Sequence, residues 1–105
     1  MKFESVESPL FSSYLSDYLS DDEYSELQAY LCEHPDAGDK VKGSGSVRKL
    51  RWSRSGTGKS GGVRVCYYVR TQAGQVLMLV IYAKSAKDSI PGHILKSIKE
   101  VMEDA

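Results

Sequence analysis

"GVRVCYYVRTQAGQVLMLVIYA", residues 62–83, is the stretch on which the fold turns. Its first run, about 62–70, is rich in β-branched and aromatic side chains, the composition of a strand. "QAG" at 72–74 supplies a tight turn, and a second run, about 75–83, follows at once. The second run is almost continuously apolar, which predicts a central strand covered on both faces. Working outward, a third strand is expected over 46–53, around "VRKLRW". On the other side, Ser89-Ile90-Pro91 opens a helix whose Ile94, Leu95, Ile98, Val101 and Met102 recur on one side.

The N-terminal third has helical rather than strand periodicity after a short strand at 2–7. Ser8 is a natural N-cap, with Pro9 at the first helical position. Leu10, Phe11, Tyr14, Leu15 and Tyr18 then recur at helical spacing, so a helix is expected over 9–18. "SDDE" at 20–23 is a capping box, in which Ser20 caps and Glu23 reaches back. Asp21 and Asp22 suit the positive end of that helix's dipole. Tyr24, Leu27 and Leu31 continue the stripe until His34-Pro35 stops it. The order is βαα, a β-meander, then α. This predicts an α+β fold: a small antiparallel sheet with two N-terminal helices and one C-terminal helix packed on it.

The chain has 105 residues, enough for one modest core, and residues 1–105 read as a single domain. That size weighs against a reading invited by Gly56-Thr57-Gly58-Lys59-Ser60, which matches the end of a P-loop. The full pattern needs a glycine where this chain has Ser53, and it must lead from a strand into a helix. Here "GG" at 61–62 runs into another strand, so the segment is expected to be a hairpin loop carrying a lysine. No apolar run approaches the roughly 18 residues of a membrane span. "MKFESVES" lacks the apolar stretch of a secretory signal, so a cytoplasmic location is expected. Cys32 and Cys66 read as buried thiols rather than as a disulfide or metal ligands.

The formal net charge is zero, yet the charges are segregated. Residues 40–87 contain eleven Lys and Arg and no Asp or Glu, while the flanks carry a net charge of minus eleven. Such a bipolar chain implies one surface built for an anion. Alternation along the strands puts Lys49 and Arg51 on one face, with Leu50 and Trp52 on the other. On the next strand Arg64, Cys66, Tyr68 and Arg70 oppose Val63, Val65, Tyr67 and Val69. If the strands pair so that Lys49 and Arg51 lie beside Arg64, three cations meet on one face. Lys59 would fold over them and Lys84 would reach the rim. Like charges this close cost stability unless an anion joins them, and arginine's fork suits phosphate.

Cleaving a phosphodiester there requires a base for the 2′-hydroxyl and positive charge for the phosphorane. His34 and His93 lie outside the basic span and read as surface or helix-end residues. A lysine crowded by arginines has its charged form disfavoured and becomes eligible as base; Lys49, Lys59 and Lys84 all qualify. Arginine supplies electrostatic stabilisation. Tyr82 is either a core tyrosine or a group that stacks on a base or donates a hydrogen bond. Arg48, Arg54, Arg70 and Lys87 extend the basic surface as candidate RNA contacts.

The segments "LSDDEYSELQAYL", "HPDAGDKVKGSGSVRKLRW", "GKSGGVRVCYY" and "VIYAKS", in this order, resemble the HigB-type toxins of the RelE superfamily over nearly the whole chain. The resemblance implies a RelE-like fold and the toxin of a type II toxin–antitoxin module. Such a toxin is a metal-independent, cofactor-free endoribonuclease that enters the ribosomal A site and cuts mRNA there. By position, Lys49 and Arg51 match the family's basic pair, and Arg64 its phosphate-contacting arginine. Lys59 lies in the basic glycine loop, and Tyr82 and Lys84 match the end of the last strand, with Ala83 in place of glycine. The arginine and tyrosine that follow in RelE are replaced by Ser85 and by Ser89-Ile90, so neither role transfers. The implied partners are mRNA and ribosomal RNA in the A site, a HigA-type helix-turn-helix antitoxin, and operator DNA through that antitoxin. The other reading of the same basic face is a nucleic-acid-binding module without catalysis.

Overall fold

The computed structural model describes residues 3–53, 62–83 and 89–104. Among the described residues, five strands and three α-helices follow in order: β1 (Glu4–Glu7), α1 (Pro9–Tyr18), α2 (Asp21–Glu33), β2 (Asp39–Lys40), β3 (Arg48–Trp52), β4 (Val63–Arg70), β5 (Gln75–Ala83) and α3 (Gly92–Glu103). The strands form one sheet in the order β1-β5-β4-β3-β2.

Local chemistry sets the helix starts. Ser8 caps α1: its Oγ accepts from the Phe11 amide at 2.9 Å and donates to the Leu79 carbonyl of β5 at 2.8 Å. One hydroxyl therefore both begins the helix and pins it to the central strand. Ser20 and Glu23 form the expected capping box at α2. Between β4 and β5, one turn of 3-10 helix (Thr71–Ala73) ends at Gly74, whose φ of 66° is left-handed backbone that glycine adopts without steric cost.

The central placement of the apolar strand holds. On one face of the sheet, Val65, Tyr67, Val76, Met78 and Ile81 pack against Phe11 of α1 and Leu27 and Leu31 of α2. On the other face, Cys66, Leu77, Leu79, Val80 and Tyr82 pack against Leu95 of α3. A register shift between Cys66 and Tyr67 sets Cys66 opposite Val80 and Tyr67 opposite Met78, leaving Leu79 as the extra residue of a bulge. Leu79 and Val80 consequently both face α3.

The sheet differs from expectation in two respects: a short edge strand, β2, forms in the segment expected to be a loop, and one pairing is parallel. Strands β2 to β5 are antiparallel neighbours, but β1 joins β5 in parallel, from Glu4↔Gln75 to Glu7↔Met78, so the sheet is mixed. The reason is tertiary. A four-residue strand followed by a one-sided helix has to enter beside β5 so that α1 covers that strand.

The third helix is held by close approach. A Cβ on Gly92 would stand 2.1 Å from the Lys42 carbonyl oxygen, so only glycine lets α3 start there. Lys99, 9% exposed, donates from Nζ to the Gly45 carbonyl at 3.0 Å and lies 4.5 Å from the Tyr68 ring centroid. Among the described residues, no helix is long and apolar enough to cross a membrane.

Candidate nucleic-acid interface

Three cations expected to meet do meet. Pairing of β3 with β4 sets Arg51 opposite Arg64 and Lys49 opposite Cys66, and pairing of β4 with β5 sets Arg64 opposite Tyr82. Arg51, Arg64 and Tyr82 therefore form a row across three strands, on the face that α3 covers further along. Lys49 stands two residues from Arg51 on the same strand and face. The contacts of α3 with Gly45 and Tyr68 lie toward the other end of β4.

Burial grades this row. Arg51 is exposed, Lys49 half-buried, and Arg64 only 8% exposed. Among the described residues, no carboxylate forms an ion pair with Lys49, Arg51 or Arg64. A buried guanidinium facing another guanidinium without a counter-charge is costly, and a bound anion relieves that cost. Beneath it lies Tyr82, 7% exposed, whose hydroxyl is buried without a hydrogen-bond partner among the described residues. Burial raises the pKa of that hydroxyl and the neighbouring Cys66 raises it further, while Arg64 lowers it. It therefore stays a donor at neutral pH. Burial likewise pushes the Cys66 thiol up to about 12, against the opposing pull of Lys49, so Cys66 is an inert core thiol, as expected.

Two other sequence candidates lie elsewhere. Arg48 points to the α2 side, where its Nη1 donates to the carbonyls of Gly38 at 2.7 Å and Asp36 at 3.2 Å. It braces the loop after α2 and does not join the row. Arg70 ends β4, six residues from Arg64, or about 20 Å along an extended strand, with Nη1 3.4 Å from Gln75 Oε1. Alternation assigns Arg70 to the right face but not to the right end. Lys59, Arg54, Lys84 and Lys87 lie outside the described residues. The described elements that flank the segment bearing Gly58 and Lys59 are the antiparallel strands β3 and β4.

The sequence reading missed two features. Asp39 of β2 pairs with Lys49, which brings one acid to the border of the row. Its place at the end of the acidic flank, one residue before the basic span, was the available signal. Secondly, Trp52 on the reverse face of β3 meets Tyr30 of α2, with ring centroids 5.4 Å apart, and Tyr30 meets His34 at 5.0 Å. Tyr30 and His34 are i,i+4 neighbours along α2, but nothing local in the sequence joins Trp52 to them. His34 itself is the C-cap of α2, and His93 is exposed in the first turn of α3, so neither enters the cationic row. Among the described residues, no group of three or more His, Cys, Asp or Glu is gathered around a possible metal position.

No known protein-family model matches the chain. Its fold is similar to that of a solved structure of E. coli toxin RelE, a mutant in the free state with two arginines changed to alanine. The two share 16% sequence identity at a TM-score of 0.60, over 96% of this chain and 99% of that one. The fold is thus RelE-like: α+β, with three helices on a five-stranded mixed sheet.

Proposed function

We propose that this chain is the toxin of a type II toxin–antitoxin module, a HigB-type member of the RelE superfamily that cuts mRNA in the ribosomal A site. The observation that carries this reading is the row Arg51–Arg64–Tyr82 with Lys49 beside it, a cationic patch that no carboxylate among the described residues ion-pairs, on a fold similar to that of a toxin. In the reaction, the 2′-hydroxyl loses its proton to a base, and its oxygen attacks the adjacent phosphorus. The bond to the 5′-oxygen breaks, and that oxygen takes up a proton. The products are a 2′,3′-cyclic phosphate and a 5′-hydroxyl. No metal ion or cofactor is assigned a step.

The residues divide this work. Arg64, immobilised by burial, and Arg51 opposite it carry the negative charge that grows on the phosphorane. Lys49, with Lys59 and Lys84 as the other eligible lysines, supplies the base. The buried Tyr82 hydroxyl, without a partner among the described residues, is available to accept from the Arg64 guanidinium opposite it and steady it. The antitoxin is of the helix-turn-helix HigA type, it binds operator DNA, and the module acts in the cytoplasm.

The test is a reconstituted translation reaction. The protein is expected to halt synthesis and leave message cut within the reading frame. Arg64→Ala should fold normally and lose about 100- to 1,000-fold in cleavage rate, the usual loss of one transition-state donor. Ribosome-bound message left intact by the wild type would instead favour a nucleic-acid-binding module without catalysis. A short neighbouring gene for a helix-turn-helix protein would support the module independently.

A further inference from the structure

The cationic row can hold a strand's backbone, but it offers no ring to a base. Tyr82 is 7% exposed, so its ring faces are covered by the core. Ser85 and Ser89 carry no ring either. Exposed aromatic surface occurs instead at Tyr14 of α1 and around the edge of β3. Tyr30 is 39% exposed, Trp52 half-buried and His34 exposed, and the rings contact one another in a tilted chain, each pair at 48°.

Its position is what ties it to the row. Trp52 follows Arg51 directly along β3, on the opposite face. The described pairing of β2 with β3 stops at Asp39↔Lys49, so Arg51 and Trp52 lie beyond its last described pair. A strand bound on the cationic face can pass over β3 there. Charge then decides which part of it arrives at the rings. Glu33 lies 3.9 Å from His34 Nε2, and the negative end of α2 terminates at His34. Phosphate is repelled there, whereas a neutral base is not. Bases of every kind have a π-face that stacks on aromatic side chains.

We propose that Tyr30 and Trp52, with His34 at their edge, form a stacking platform for an unpaired base of the RNA whose backbone lies on the Arg51–Arg64 row. This deepens the reading of that row as an RNA contact and rests on it. The ligand class is a single-stranded RNA base, with little sequence preference, since recognition is by ring face rather than by hydrogen bonds.

Trp52 is the sole tryptophan, so its emission reports the platform directly. Titration with a short single-stranded oligoadenylate is expected to quench this emission, saturating together with binding followed by labelled-RNA anisotropy. Inorganic polyphosphate, which has the charge without the rings, should quench far less. Tyr30→Leu keeps apolar bulk and should fold, by circular dichroism, while weakening RNA binding about fivefold to a hundredfold, the range for losing one base–aromatic stack. Saturated RNA binding with Trp52 emission unchanged, equal quenching by polyphosphate, wild-type affinity in Tyr30→Leu, or no saturable RNA binding would each overturn the platform. Message cleavage is read separately. A protein that cuts message with unperturbed Trp52 loses the platform and keeps the nuclease, while one that stacks RNA without cutting message does the reverse.

Discussion

Arg64 faces Arg51 across the β3–β4 pair and is nearly buried, an arrangement that folding alone does not favour. Like charges directly opposite in a sheet are destabilising, by up to about 1 kcal/mol. Arg51→Ala should therefore raise stability by about 0.5 kcal/mol at low salt, with the gain shrinking as salt rises, in urea denaturation. A loss of stability would show that the pair does not repel. Cys66 makes a second residue-level prediction. Its pKa is raised in the folded state, mainly by burial, so its contribution is fully present below the ordinary value of 9.0 and is lost as pH climbs toward about 12. Cys66→Ala should make the alkaline fall in stability less steep, and an unchanged slope between those pH values would assign that fall to other groups.

At the scale of elements, two small residues fix the helices to the sheet. Ser8 Oγ makes both the α1 cap bond and the bond to the Leu79 carbonyl in a buried setting. Ser8→Ala should cost about 2 kcal/mol, toward the upper end for a cap, because a buried carbonyl also loses its donor. Chemical denaturation measures this directly, and a cost near zero would mean that water replaces both bonds. For α3 the fastener is Gly92. Because a Cβ would meet the Lys42 carbonyl at 2.1 Å, Gly92→Ala should displace the helix start and expose Leu95 and Val47. Faster amide exchange along residues 92–103 with unchanged exchange in β5 is the expected signature.

For the whole molecule, zero net charge conceals opposed surfaces. The α1 and α2 helices carry six acids and no Lys or Arg, whereas the far side of the sheet bears the cationic row. Solubility follows the net charge, but RNA affinity follows the local field. If Lys49, Arg51 and Arg64 each neutralise one phosphate, log K should fall with log salt at a slope of about −2 for single strands, and Arg51→Ala should reduce that slope by about 0.7. A salt-independent affinity would remove the row from RNA binding.

The sequence by itself determined what depends on near neighbours. Helix starts at Pro9 and Asp21 follow from Ser8 and from the Ser20–Glu23 box, because caps act within one turn. The bounds of β5 and its double-sided burial follow from an unbroken apolar run, and the shared face of Lys49 and Arg51 follows from the two-residue period of a strand. Alternation, however, says which side a residue takes and not which residue stands opposite. Register across the sheet decided that Arg64 meets Arg51 and Tyr82, and that Arg70 sits at the far end. Packing decided that β1 enters parallel beside β5, that Arg48 serves two loop carbonyls, and that Tyr30 reaches Trp52. These contacts join segments distant in the chain, and their free energy comes from burying shared surface, which no local pattern encodes.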